Sequence, residues 1–82
     1  MAILTITYQG MSAEYPREIG EDIKDEDIKR IAVEVIRSGE VPGLQIVNLG
    51  DSAFAYFVVD RFDSRERGTR LYLRPKVPFG AL

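Results

Sequence analysis

Three residue types are missing from the 82-residue chain: cysteine, histidine and tryptophan. Without cysteine there is no disulfide framework and no thiolate nucleophile. Without cysteine and histidine the usual zinc ligands are gone, as are the Ser-His-Asp triad and any imidazole acid–base catalyst. Charge of one sign is also lacking, because 11 basic and 13 acidic side chains leave a net charge of −2. So weak a total exerts no long-range pull on nucleic acid or anionic lipid. No run of 18 apolar residues exists, so the sequence predicts no membrane-spanning helix. Met1 to Thr5 alternates and does not follow the basic-then-apolar plan of a signal peptide. Together with the missing cysteines, this leads us to expect a cytoplasmic protein.

What is present suits one small globular domain, with 45% hydrophobic and 29% charged residues. Charge is unevenly shared. Residues 1–40 hold five basic and nine acidic side chains, and residues 41–82 hold six basic and four acidic. Residues 2–9 alternate with a period of two, Ala2, Leu4, Ile6 and Tyr8 against Ile3, Thr5, Thr7 and Gln9, which predicts a strand. A turn at Gly10-Met11, with Gly at its first central position, leads into a second alternating run over 12–19. Pro16 has no N–H for a ladder and places that run at a sheet edge.

Asp25, Glu26 and Asp27 then open a helix predicted over 25–38, roughly 21 Å long. Three carboxylates in a first turn complement the positive end of the helix dipole and are positioned to meet its orphan N–H groups. Ile28, Ile31, Ala32, Val35 and Ile36 form one apolar stripe, and Gly39 supplies the stop. After the connector Val41-Pro42-Gly43, strands are expected over 44–49, 53–62 and 70–77, with a turn at 50–52 and a charged loop at 63–69. In the last strand Leu71, Leu73 and Val77 face inward, and Arg70, Tyr72, Arg74 and Lys76 outward. Residues 78–82 are expected to be a flexible tail. The predicted order is therefore ββαβββ in one domain. It is a two-layer α+β fold, with one mixed or antiparallel sheet packed by a single helix.

This layout resembles the β-grasp, or ubiquitin-like, fold. The features in common are an N-terminal hairpin with a turn glycine, a helix beginning near residue 25 after an acidic cap, the connector Val41-Pro42-Gly43, and a final strand from Leu71 to Val77 with outward Arg70 and Arg74. The likeness covers about residues 1–77 and lies in element order and spacing. It implies that the first and last strands pair in parallel at the centre of the sheet. Ubiquitin-like modifiers and related sulfur carriers act through a C-terminal Gly-Gly. This chain ends Phe79-Gly80-Ala81-Leu82, so a modifier or carrier role would require processing to Gly80.

Few residues here can carry chemistry. Asp22, Asp25, Glu26 and Asp27 splay around a helix start and lack EF-hand spacing, so they read as caps and not as a cation site. No glycine-rich phosphate loop or Ser-x-x-Lys arrangement occurs. We therefore expect no catalytic residues, no metal and no cofactor, and a protein that is not an enzyme. Two surfaces stand out. Arg61, Arg65, Arg67, Arg70, Arg74 and Lys76 cluster in 61–76, with Tyr72 between two of them. Such a set can meet a protein partner, track a phosphate backbone or simply keep a sheet face solvated. The 53–62 strand is apolar on both faces, so one of the sets Phe54, Tyr56, Val58 or Ala55, Phe57, Val59 must face away from the helix. Such a patch invites a partner or a second copy, unless loops or the C-terminal tail cover it. The leading expectation is an interaction module, an adaptor or regulatory subunit, that binds a protein partner or itself through Tyr56, Arg61, Arg70, Tyr72, Arg74 and Lys76. A small nucleic-acid-binding protein using 61–76 is the alternative, and the processed modifier a second one.

Overall fold

Alternation of β-branched and apolar residues carries β1 from Ala2–Tyr8 in the computed structural model, which describes residues 1–64, 66 and 68–76. It pairs antiparallel with β2, Met11–Glu14, through a two-residue turn in which Gln9 and Gly10 both have positive φ (51° and 79°). That is the primed geometry whose twist matches the hairpin, and glycine fills its second central position. The turn thus lies one residue earlier than Gly10-Met11. The predicted strand 12–19 is also shorter than expected. The chain bends after Glu14 at Pro16-Arg17, then Ile19 rejoins β1 in an isolated bridge with Ala2. A proline cannot continue the ladder, so pairing stops before it.

The helix α1 runs over Asp25–Arg37, one residue short of the prediction. Its start differs in mechanism. Lys24 is the N-cap and makes no side-chain cap bond. Asp27 instead pairs with Arg30, and Asp25 with Arg61 of a distant strand. The acids still complement the helix dipole, but two of them serve as ion-pair partners. The helix ends as Gly39 predicts. Gly39, at φ 76°, donates to Ile36 O, and Glu40 donates to Val35 O. This is the paired 5→2 and 6→1 closure that a residue in the left-handed region permits.

All three strands predicted after the helix are changed. Residues 44–49 form no strand. Leu44 N–H bonds to Val41 O, Leu49 N–H to Ile46 O, and Ala53 N–H to Gly50 O, so the backbone is satisfied by successive turns. The apolar residues at 41, 44, 46 and 49 follow those turns with a spacing of two or three, which over six residues imitates a strand. Residues 53–56 are turns as well, and β3 begins only at Phe57, spanning Phe57–Ser64. The expected loop 63–69 shrinks accordingly, because β4 starts at Gly68 and spans Gly68–Pro75.

The result is a four-stranded mixed sheet of order β2-β1-β4-β3, in place of five strands, with β1 and β4 parallel at its centre. The helix lies on one side. Ala2, Leu4, Ile6, Leu71 and Leu73 are buried from the sheet, and Ile28, Ala32, Val35 and Ile36 from the helix. Leu71 and Leu73 face inward as expected, while Val77 lies outside the described residues. Val41, Leu44, Leu49 and Phe54 join the same core from the turns. That second wall explains why Val33, outside the predicted stripe, is also buried. Among the described residues, no helix is long and apolar enough to cross a membrane.

Candidate surface on the outer sheet face

Because side chains alternate across a strand, the register fixes which residues look away from the helix. One row of that outer face is Ile3, Arg70 and Phe62, and the next is Glu14, Thr5, Tyr72 and Asp60. Val58 and Arg74 are paired beyond them. Tyr72 thus stands on an inner strand between two arginines. The Phe62 ring meets it edge-to-face, with centroids 5.5 Å apart. That geometry sets the positive ring edge against the negative face.

The arginines are not bare charges. Arg74 donates through Nε to the Asp60 carboxylate on the neighbouring strand. That hydrogen bond, and then the charge of the same carboxylate, hold the Arg74 guanidinium above its ordinary value. Arg70 reaches over β1 toward Glu14, 3.6 Å away. Two basic and two acidic groups therefore share the face and cancel. Pairs this exposed add little to stability, and among these four side chains positive and negative charge balance.

The six sequence-selected residues divide. Arg70, Tyr72 and Arg74 share the outer face. Lys76 is exposed just past β4. Tyr56 is 89% exposed, yet it sits in the turn before β3 and belongs to neither sheet face. Arg61 points to the helix side. It donates to Glu21 O at 3.2 Å, Ile23 O at 2.5 Å and the Asp25 carboxylate at 2.7 Å, tying β3 to the segment that leads into α1. Arg65, Arg67 and the tail 77–82, with Phe79 and Gly80, lie outside the described residues. Of the two alternative sets in 53–62, neither stands as a row. Phe54 is buried beside Tyr8 and Phe57, whereas Val58 does face outward. Phe62, Asp60, Thr5 and Glu14 are the members that sequence reading missed. The run of alternation after Phe57 identifies the first two, but Thr5 and Glu14 join only through pairing.

A second concavity, about 450 Å³, runs between α1 and the 51–55 turn over Val33 and Ala55. Two of its lining cations are internally engaged. Lys29 donates to Ala55 O, and Arg37 donates to Leu49 O and the Asp51 carboxylate. Comparison with protein-family models, curated proteins and solved structures returns no match.

Proposed function

We propose that this chain is a non-enzymatic interaction module of β-grasp type that binds a protein partner through its outer sheet face. The order β2-β1-β4-β3, with first and last strands parallel at the centre, supports the β-grasp reading. The observation that carries the function is the Phe62–Tyr72 pair, set among Arg70, Arg74, Glu14 and Asp60 on a face that no described element covers. Aromatic and arginine side chains are the favoured anchors of protein interfaces. Internal neutralisation of both arginines favours a mixed-charge protein surface over nucleic acid.

The test is quantitative affinity capture from native extract, comparing the unaltered chain with Tyr72→Ala, Arg70→Ala and Tyr56→Ala. Proteins lost with the first two and retained with the third support the reading. An identical set from all four chains rejects it. Nucleic acid that binds tightly at low salt and is released steeply as salt rises would replace it with the alternative.

A further inference from the structure

The two edges of the sheet are built differently. The β2 edge is only four residues long, and the chain leaves it at Pro16. Short edges and prolines are the means by which proteins blunt unwanted strand pairing. The β3 edge has neither. It runs for eight residues, Phe-Val-Val-Asp-Arg-Phe-Asp-Ser, without proline, glycine or lysine. Among the described residues its only strand partner is β4. Beyond that ladder, the one backbone hydrogen bond of β3 among the described residues is Phe57 N–H to Phe54 O. The outer backbone groups of 58–64 therefore have no protein partner there. Among the side chains described on this edge, Arg61-Phe62-Asp63 are the most exposed, with Phe62 58% exposed.

We infer that β3 is a homodimerisation edge, which pairs antiparallel with β3 of a second copy about a two-fold axis at Phe62. Side-chain arithmetic selects both the occupant and the register. In a continuous antiparallel sheet, opposed residues share a face, so a two-fold must pass through one residue position. Centring on Asp60 opposes two carboxylates, and centring on Arg61 opposes two guanidiniums. Centring on Val59 sets each Asp60 against Val58. Centring on Phe62 opposes the two aromatic rings and places each Arg61 opposite the second copy's Asp63, twice by symmetry. Opposed aromatic and opposite-charge pairs are the favourable ones. Both charged groups keep capacity for this. Among the described residues, Arg61 uses its two Nη atoms for residues 21, 23 and 25 and not its Nε–H, and Asp63 uses Oδ1 for the Thr69 hydroxyl and not Oδ2. The dimer has one eight-stranded sheet. Phe62 also belongs to the outer-face surface proposed above, so Tyr72→Ala, which alters β4 away from this edge, separates partner binding from dimerisation.

Sedimentation and light scattering on the full chain test this. The expected result is a mass that rises from one chain to two with concentration. Phe62→Lys puts two ammonium groups on the axis and raises the dissociation constant by about tenfold or more, while Phe62→Tyr preserves it. Phe62→Cys introduces the only thiol in the chain, and under oxidation it forms a symmetric disulfide dimer. Tyr56→Cys, which is more exposed but off the edge, does not. A one-chain mass at millimolar concentration overturns the proposal. So does a dimer that Phe62→Lys leaves intact, or equal cross-linking of both thiols. Should Phe62→Lys fail to fold by circular dichroism, the tyrosine and cysteine variants decide. Loss of dimer in Tyr72→Ala with retention in Phe62→Lys would move self-association to the outer face.

Discussion

The two faces of this sheet come from the same strands and yet obey different rules. On β4, Leu71 and Leu73 are wholly buried against the helix, while their neighbours Arg70, Tyr72 and Arg74 point the other way into ion pairs and an aromatic contact. The inner face excludes water, so each methylene there contributes transfer energy and packing. The outer face exchanges water contacts for weak, screened pairs. Stability therefore resides in the inner face, and the side chains of the outer face remain partly exposed to solvent.

Substitutions on opposite sides of one strand break or sharpen that contrast. Leu71→Ala should cost about 2–5 kcal/mol of unfolding free energy in a denaturant titration, since it removes core volume. Arg61→Ala is intermediate. Loss of its bonds to Glu21 O, Ile23 O and Asp25 should cost about 1–2 kcal/mol, because the side chain is partly exposed. Hydrogen exchange in 20–25 should rise in that variant more than in β1. Tyr72→Ala, one residue from Leu71, should cost only about 0.5–1 kcal/mol, the scale of a cross-strand pair, as read by thermal melting. Arg70→Ala should change stability by no more than about 0.5 kcal/mol, and less still in high salt. If Tyr72→Ala proves as costly as Leu71→Ala, the outer face is part of the core and the division fails.

Much of this layout was legible in the chain. The alternation of Ala2 to Tyr8 and the stripe from Ile28 to Ile36 report local periodicity, and both elements form where that periodicity lies. Gly39 ended the helix for a reason internal to the backbone. The outward set Arg70, Tyr72 and Arg74 followed from alternation alone. The region 41–56 was misread because two kinds of structure share its pattern. Apolar residues two or three apart suit a short strand, but they also suit successive turns that bury Val41, Leu44, Leu49 and Phe54. The internal bonds of Arg61 were not legible, because charge says nothing about which carbonyl oxygens a long side chain will reach.

The sequence by itself determined the absence of thiol and imidazole chemistry, the helix and its stop, the first hairpin, and the inward and outward sides of the last strand. These depend on residue identity and on neighbours a few positions away. Only the tertiary structure decided that β1 and β4 lie side by side, that Thr5 and Glu14 join Tyr72 on one surface, that Asp25 serves Arg61, and that β3 ends the sheet with its outer backbone groups unpaired among the described residues. Those facts depend on contacts between residues tens of positions apart, which form only when burial of the inner face draws the strands and helix together.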